Sequence, residues 1–352
     1  MIKLIKNKNY HFLLVHCNEM TSLASLIFCL PCAESIKSFY PQANISFLIH
    51  SSMQHLLSNN PFIHNIFFID TESNLTKTLK KAQIDISISF ISDRKSTLAL
   101  FLAGVRIRIG IFSHLYSFLF NYKIKQPRHP FKKHETQYYL DLLKPLNCQG
   151  IFFPKLYLTI QQKQQAHKYL ESRFSEKPDS HLIIICPSND NNARGWLAKN
   201  FFAIADLLAT EHTILLVTHP SERVGYSALL EQYAHLHAKN LYITADSNEL
   251  LSIISCAKIF LSNNTLLLHC ASALGIATVS LYLYTKYNNP LRYGIFSEKK
   301  NHIILTPFGI FSHRNLAEIT KDFTQNELQG RRIEDIQPEL VYNIIKTQVQ
   351  QQ

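Results

Sequence analysis

Residues 240–283 constrain the fold more than any other stretch, because strand-like and helix-like patterns alternate there without a break. The predicted order is strand, helix, strand, short polar turn, helix and strand. Asn263, Asn264 and Thr265 form the turn, and His269 lies on the helix that follows. A helix that begins after such a turn offers backbone N–H donors and a partial positive charge at its N-terminus. The stretch therefore predicts an α/β fold with a site for a phosphate-bearing ligand.

The first half of the chain repeats this alternation, which favours a mostly parallel sheet with helices on both faces. Helices are predicted over Leu23–Phe39, where apolar residues recur near the helical period, and from Asp93 through Leu102. Tyr122–His134 has two prolines and dense positive charge and is predicted to be a loop, followed by a helix over His134–Leu146. The predicted strands are His11–His16, Ile45–His50, Asn65–Asp70, Ile84–Ile91 and Val105–Ile109.

A second α/β series begins at Leu182 and ends in an amphipathic helix over Pro338–Gln350. We predict a Rossmann-like domain over 1–155, a linker over 156–180, a second Rossmann-like domain over 181–330 and a C-terminal helix over 331–352. The pattern alone also fits two-domain epimerases and periplasmic binding proteins. The second series contains predicted strands at Leu182–Cys186, Thr213–Val217 and Leu241–Thr244, a helix at Asn200–Ala209 and another helix after Ser221.

Composition narrows the class of protein. The 46% hydrophobic and 17% charged residues are typical of a globular chain. No apolar run reaches the roughly 18 residues of a membrane span, and the first residues read as a strand rather than a signal peptide. Seven cysteines without a regular spacing indicate a reducing compartment. Only nine glycines are present, with neither GxGxxG nor a P-loop, so a glycine-fingerprint dinucleotide fold is not predicted.

The turn and helix at 263–275 read Asn-Asn-Thr-Leu-Leu-Leu-His-Cys-Ala-Ser-Ala-Leu-Gly. This segment resembles the nucleotide-sugar signature of glycosyltransferase family 9, the bacterial heptosyltransferases, usually written Asn-Asp-[Ser/Thr]-Gly-x-x-His-x-Ala-Ala-Ala-Leu-Gly. AGVRIRIGIF, KKHETQYYLDLL, ARGWLAKNFFAIADLL and THPSER resemble other family segments in the same order. The resemblance implies the GT-B architecture, with two facing Rossmann-like domains and mostly parallel sheets.

The resemblance also implies a donor site in the second half. Arg194 stands two residues before Trp196, where the family has a lysine that contacts phosphate, and arginine keeps that charge. Glu222 matches a glutamate that holds the nucleoside's sugar, and Trp196 is predicted to be a packing anchor. Alternative roles are a helix cap for Ser188 and Asn189, a dipole partner for Glu222 and a core histidine for His269. The implied donor-binding residues are Ser188, Asn189, Arg194, Glu222, Asn264, Thr265 and His269.

The donor turn departs from the family at two places. Asn264 replaces the aspartate, and Leu266 replaces a glycine that lets the backbone approach a pyrophosphate. One lost contact of this kind is worth roughly 1.5–3 kcal/mol. The donor therefore differs from the family's ADP-heptose, or the site binds it less tightly.

The segment FLLVHCNEMTSLASLIFCLP resembles the family's opening strand, turn and helix, and its turn departs further from the family. In the family, an aspartate there is the base that deprotonates the acceptor hydroxyl. Its position falls on Ser25, and a serine alone is not a base near neutral pH. Glu19, a few residues earlier, is the other candidate for this role.

The positive charge is concentrated in the first half. Residues 1–160 carry 18 Lys+Arg against 8 Asp+Glu, whereas the remainder carries 18 against 17. This asymmetry favours an anionic partner, such as a phosphorylated glycolipid, a membrane surface or nucleic acid. The alternative is that the surface lysines only aid solubility. By resemblance, that partner is a phosphorylated glycolipid of the lipopolysaccharide type, held by Lys123, Lys125, Arg128, Lys132 and Lys133.

The main hypothesis is an inverting glycosyltransferase that moves a sugar, heptose by resemblance, from a nucleotide sugar to a lipopolysaccharide core-type acceptor. The predicted location is cytoplasmic, with peripheral contact to the inner membrane. No cofactor is implied beyond the nucleotide-sugar co-substrate, ADP-heptose by resemblance. The absent aspartate favours a second hypothesis, a relative that binds a sugar nucleotide or glycolipid without turnover.

Two further residue pairs suggest other chemistry. Cys29 and Cys32 have CxxC spacing, but they lie in an apolar helical pattern and are predicted to be buried thiols. His235 and His237 have no clustered ligands, so no metal is predicted. No nucleic-acid-binding motif occurs, and nucleic acid is not a predicted partner.

Overall fold

The computed structural model describes residues 2–17, 24–112, 115–128, 133–174, 181–188, 195–218, 226–233, 241–243, 247–283, 289–312 and 332–351. They form two compact units, Met1–Tyr157 and Leu158–Gln352. The border between the units lies within the predicted linker range 156–180, which also contains the first helix of the second unit. The finer domain limits at 155, 180 and 330 stay a prediction.

The first unit is built on a six-stranded sheet with the order β3-β2-β1-β4-β5-β6. All neighbouring strands described in it are parallel. Its strands are β1 His11–His16, β2 Asn44–Ile49, β3 Asn65–Phe68, β4 Ile86–Ile91, β5 Ile107–Ile111 and β6 Tyr122–Ile124. Its helices are α1 Ala24–Cys29, α2 Pro31–Phe39, α3 Leu75–Lys81, α4 Arg94–Leu102 and α5 Glu135–Asp141, with 3-10 turns at Ser51–Leu56, Leu115–Leu119 and Lys144–Leu146.

Strand β1 lies at the centre of this sheet and is buried on both faces. Leu13, Val15 and Cys17 pack into the core cluster that α3 and α4 cover. Because successive side chains of a strand point to opposite faces, Leu14 and His16 point to the other face. His16 is therefore a polar residue in an otherwise apolar row, at the carboxyl end of the central strand.

The second unit is built on a seven-stranded sheet with the order β13-β12-β11-β10-β7-β8-β9. Only the β12–β13 pair is antiparallel among the strands described there. Its strands are β7 Leu182–Cys186, β8 Thr213–Thr218, β9 Leu241–Ile243, β10 Ile259–Asn263, β11 Ala277–Leu281, β12 His302–Thr306 and β13 Gly309–Ser312. Its helices are α6 Ile160–Arg173, α7 Ala198–Leu208, α8 Ser227–Gln232, α9 Ser247–Ile254, α10 Leu266–Ala273, α11 Pro290–Tyr293 and α12 Pro338–Gln350, with a 3-10 turn at Ile333–Asp335.

The alternation of side chains divides the second unit into two cores. Ile183 and Ile185 of β7 pack with α7 and α12 on one face of the sheet. Ile184 and Cys186 pack with α6, α9 and α10 on the other face. A strand buried on both faces reads as a continuous apolar run, which is why the sequence LIIIC predicts β7 with the bounds that the structure has.

The α/β class predicted from the sequence is confirmed, and three predicted elements differ. The helix over Leu23–Phe39 is two helices in the described residues, because Pro31 has no N–H to continue the ladder and begins α2. The helix over His134–Leu146 ends at Asp141 and gives way to a 3-10 turn containing Pro145. The segment Tyr122–His134 contains strand β6, whose charged residues are tolerated because it is an edge strand.

Candidate functional site

The order of strands in the second unit reverses between β7 and β10. Strands β8 and β9 extend the sheet on one side of this point, and β11 to β13 extend it on the other. In open α/β sheets, ligands bind beyond the carboxyl ends of the strands at such a reversal. Ser188 follows β7 there, and Asn263 ends β10.

Asn263 ties these two strand ends together. Its side-chain oxygen accepts a hydrogen bond from the Trp196 backbone N–H at 2.9 Å. Its amide donates to the backbone oxygens of Trp196 at 3.2 Å and Ser188 at 3.4 Å. The side chain is buried, so these bonds replace water for three backbone groups. Asn263 was not among the predicted donor-binding residues, although its place at the end of an apolar strand marks it.

The predicted turn begins α10 with a side-chain cap. The Thr265 hydroxyl accepts a bond from the Leu268 N–H at 3.3 Å and pairs with the Ser262 hydroxyl at 3.1 Å. The imidazole Nε2 of His269 lies 3.0 Å from the Asn264 side-chain oxygen. Asn264 and His269, two of the predicted donor-binding residues, are thus in contact, and Thr265 holds the helix start beneath them.

The other end of α10 explains one glycine of the signature. Gly275 has φ +86°, a conformation that side chains with a Cβ adopt only with strain. Its N–H donates to Ser272, and the Ile276 N–H donates to Ala271, which closes the helix. Because glycine adopts this conformation without strain, the chain turns at Gly275, and β11 begins two residues later, parallel to β10.

The first unit has an equivalent reversal between β1 and β4. His16 pairs with Ile91 there, after a register shift between Val15 and His16. Such bulges aim a side chain away from the regular pleat and are frequent beside active sites. The next residue, Cys17, donates its backbone N–H to the Ile91 oxygen at 2.8 Å.

His16 forms a hydrogen bond with Ser25, the predicted catalytic position. The His16 Nε2 and Ser25 Oγ atoms are 2.7 Å apart. His16 is fully buried, whereas Ser25 on α1 retains 7% of its surface. Burial lowers the pKa of His16 to about 4, its own backbone opposes the shift, and the charge of His50 adds to it. The imidazole is therefore neutral at physiological pH.

The His16 pKa predicts how stability depends on pH. The folded pKa of about 4 lies below the unfolded value of 6.5, so only the unfolded chain binds the proton between these values. Stability therefore falls as pH drops through 6.5 towards 4, by about 2 kcal/mol between pH 7 and pH 5. We expect His16→Gln to lose less stability than the parent chain over this interval in urea titrations. The exposed His64→Gln control should behave like the parent, and equal pH slopes for all three proteins would contradict the prediction.

The predicted acceptor-binding cations lie in different surroundings. Lys123 and Lys125 are exposed on or beside the edge strand β6. Arg128 pairs with Glu135 and lies over the rings of Tyr138 and Tyr139. Lys133 is 2.8 Å from an Asp141 oxygen. Two of the four described cations, Arg128 and Lys133, thus have a carboxylate partner.

The remaining predictions concern the cysteine pair, membrane spans and residues that the structure does not describe. Cys29 and Cys32 are described, and both thiols are buried, as predicted, with pKa values that burial raises well above the usual range. In the part of the chain that the structure describes, no helix is long and apolar enough to cross a membrane. The predicted residues outside the description are Glu19, Asn189, Arg194, Glu222, Lys132, His235 and His237.

Comparison with known proteins defines the class. A glycosyltransferase family 9 protein of Veillonella parvula superposes with a TM-score of 0.79 at 15% identity, covering 99% of each chain. The ADP-heptose lipopolysaccharide heptosyltransferase II of E. coli gives a TM-score of 0.75 at 16% identity, covering 97% of this chain and 99% of the other. The fold is that of the GT-B glycosyltransferases.

The sequence comparison gives the family. The model of glycosyltransferase family 9 (heptosyltransferase) matches residues 73–310. The lipopolysaccharide core heptosyltransferase OpsX of Haemophilus influenzae is 22% identical over 300 residues, covering 80% of this chain and 82% of its own length. The chain belongs to glycosyltransferase family 9, as the resemblance of its donor turn predicted.

Proposed function

We propose that this glycosyltransferase transfers heptose from ADP-heptose to a lipopolysaccharide core-type acceptor by inverting direct displacement. The acceptor oxygen bonds to the anomeric carbon while the bond from that carbon to the diphosphate oxygen breaks. ADP leaves, and the hydroxyl proton passes to a base. The names of two relatives support this choice, one an ADP-heptose lipopolysaccharide heptosyltransferase and the other a lipopolysaccharide core heptosyltransferase.

The observation that carries the proposal is the start of α10 at the β7–β10 reversal. The N-terminus of this helix has a partial positive charge, which stabilises the negative charge of a departing diphosphate. Asn264 and His269 meet there at 3.0 Å, and the adjacent Asn263 bonds to the backbone of Ser188 and Trp196.

Binding of ADP tests the donor site. We expect ADP and ADP-heptose to raise the melting temperature, because a ligand of the native state stabilises by about 2.7 kcal/mol at 100 times its Kd. GDP, UDP and CMP should give smaller shifts. His269→Ala should weaken ADP binding about tenfold in calorimetry, since it removes one polar contact of about 1.4 kcal/mol.

The matched control is His302→Ala. His302 is also buried in the second unit, where its Nδ1 pairs with the Thr278 hydroxyl at 3.0 Å, but it begins β12 at the amino edge of the sheet. Its variant should lose stability and keep the ADP affinity of the parent. Equal weakening by both variants, or no melting shift with any nucleotide, would contradict the donor site. Binding of ADP-heptose without transfer to any lipopolysaccharide acceptor would favour the non-catalytic hypothesis.

The acceptor is a glycolipid, and the first unit has a surface suited to a membrane. Of the thirteen exposed large hydrophobic residues in the described part of the chain, six fall between positions 98 and 122. Nine lysines and arginines and no acidic residue lie between Asp93 and Glu135. We call this region the apolar-basic surface, formed by Leu98, Phe101, Leu102, Phe112, Phe118 and Tyr122 with their basic neighbours.

Cations and rings are paired across the apolar-basic surface. The Arg108 guanidinium lies 5.3 Å from the centre of the Phe101 ring, and the Lys125 ammonium lies 5.7 Å from that of Phe112. Phe118 is 67% exposed. Exposed rings beside lysine and arginine suit the interface of an anionic bilayer, where the rings enter the headgroup layer and the cations meet lipid phosphates.

Liposome sedimentation tests this contact. Phe101→Ser/Phe118→Ser should weaken partitioning onto phosphatidylglycerol vesicles at least tenfold, because two partly inserted rings contribute about 2 kcal/mol. Ile5→Ser/Ile151→Ser is the control, since both isoleucines are 68% exposed in the same unit but outside the apolar-basic surface. Equal losses in the two double variants would contradict the proposed contact, as would equal binding of the parent to phosphatidylcholine vesicles.

A further inference from the structure

The hydrogen-bonded pair of His16 and Ser25 supplies what the serine lacks. Ser25 occupies the position of the family's base, yet a lone hydroxyl has no useful basicity at neutral pH. Its Oγ lies 2.7 Å from the Nε2 of His16, at the end of strand β1. A hydroxyl paired with an imidazole in this way can pass a proton on, as in enzymes whose serine is activated by a neighbouring base.

We propose that Ser25 and His16 form a proton relay that takes the place of the missing carboxylate. The inference rests on the transferase function proposed above. As the acceptor oxygen attacks the anomeric carbon, its proton moves to Ser25 Oγ while the Ser25 proton moves to His16 Nε2. The bond to the diphosphate breaks with its electron pair on ADP, so the relay ends with a neutral serine and an imidazolium.

Burial assigns the two roles. Ser25 retains 7% of its surface and His16 has none, so Ser25 is the member of the pair that an acceptor can reach. His16 acts through Ser25 and is a proton-accepting positioning residue. His16 stands opposite Ile91, where β4 has one extra residue, and its Nε2 is 2.7 Å from the Ser25 hydroxyl of α1.

The relay depends on which ring nitrogen of His16 carries the proton. Among the described residues, Nδ1 has no hydrogen-bond partner on another residue, and the one electrostatic contact that favours a proton on the ring comes from the backbone of His16 itself. A proton on Nδ1 leaves Nε2 free to accept from the Ser25 hydroxyl. This tautomer is the one that a relay needs.

The proton affinity of His16 matches its task. Its pKa of about 4 is close to that of an ordinary aspartate, about 3.9. The relay therefore offers the acceptor proton a final site about as basic as an ordinary aspartate. His16 also stays neutral, and so able to accept, throughout the physiological range.

Among the described residues, ionisable groups near the pair come from the end of β2, the segment after β4 and helix α5. From the end of β2, His50 lowers the pKa of His16. Asp93 and Lys95, after β4, act on the neighbouring Cys17 thiol. Helix α5, which packs on α1, contributes Glu135 and its N-cap His134, and His134 lies 5.0 Å from the Phe28 ring.

Nitrogen NMR of the histidines tests the pair in the resting protein. At pH 7 we expect His16 to carry its proton on Nδ1, with an Nε2 resonance shifted by hydrogen bonding that moves on Ser25→Ala. A proton on Nε2 would overturn the relay whatever the protein transfers, because His16 would then donate to Ser25 instead of accepting.

Kinetics test the relay in the reaction, with ADP-heptose as donor and lipopolysaccharide from a heptose-deficient strain as acceptor. We expect His16→Gln and Ser25→Ala each to lower kcat about 10²- to 10⁴-fold with little change in ADP affinity. The double variant should be no worse than either single one. His11→Gln is the matched control, because His11 lies on the same strand as His16 but at the amino edge of the sheet. There its Nε2 is 2.8 Å from the Ser46 hydroxyl of β2. It should keep the parent kcat.

Rescue separates a chemical role of His16 from a structural one. Ser25→Asp restores a carboxylate and should keep kcat within about tenfold of the parent. In that background, His16→Gln should have no further effect, and a proton inventory should fall from two transferred protons to one. A full loss of activity in His16→Gln/Ser25→Asp would overturn the relay. If the unmodified protein binds ADP but transfers no heptose, the transferase function itself fails, and the relay fails with it.

Discussion

Trp196→Ala should lower the free energy of unfolding of the second unit by about 3–5 kcal/mol, the usual effect of emptying a large aromatic site in a core. Trp196 is fully buried and packs edge-on against Phe201, with ring centres 5.0 Å apart at 79°. Its indole N–H donates to the Ile336 backbone oxygen at 2.8 Å. The side chain therefore joins the segment before α12 to the core of the sheet.

Trp196→Phe separates packing from hydrogen bonding. It retains most of the ring volume and loses only the donor to Ile336, so we expect a loss of about 1–3 kcal/mol. Urea unfolding followed by circular dichroism measures the total change, and hydrogen exchange resolved by peptide locates it in α12 and β7. A loss below about 1 kcal/mol for Trp196→Ala would mean that the indole does not anchor this core.

Asn263→Ala is expected to lose about 2–4 kcal/mol, because it leaves the buried N–H and C=O of Trp196 without partners. The same change removes the hydrogen bonds that tie the end of β10 to Ser188 and Trp196. ADP affinity should therefore fall together with stability. The loss should be smaller when Asn263→Ala is combined with Trp196→Ala than the two single losses added, because the residues are in contact.

Asn264→Ala is the matched control for Asn263→Ala, with the same residue type one position along the chain. Asn264 is only partly buried and pairs with His269. Its variant should lose less than about 1 kcal/mol of stability while still weakening ADP binding. Calorimetric unfolding and ADP titration of both variants separate the structural role of Asn263 from the donor-binding role of Asn264. Equal stability losses would show that position 263 has no special structural role.

Much of the fold was predictable because its signals are local. Strand β1 and strand β7 have the predicted bounds, since each is a continuous apolar run between polar residues. Helix α12 begins and ends at the predicted residues, where an amphipathic pattern follows a proline. Strand β6 was not predicted, because its few residues become a strand only through pairing with β5.

The predictable part of the site was the turn at α10. A polar turn between an apolar strand and a helix is a local pattern, and it led to Asn264, Thr265 and His269 as candidates. The contact between Asn263 and Trp196 joins residues 67 positions apart, and no spacing in the sequence indicates it. His16 was missed for a similar reason, since its bond to Ser25 depends on how α1 packs on the sheet.

The sequence by itself determined the α/β class, the family and the region of the donor turn, because hydrophobic period and short motifs act over a few residues. Only the tertiary structure decided which polar side chains meet. Strand order places β1 beside β4 and β7 beside β10, and parallel pairing brings the carboxyl ends of those strands to one edge. Packing of α1 on the first sheet then sets His16 against Ser25, and this contact is the basis of the proton relay that we propose.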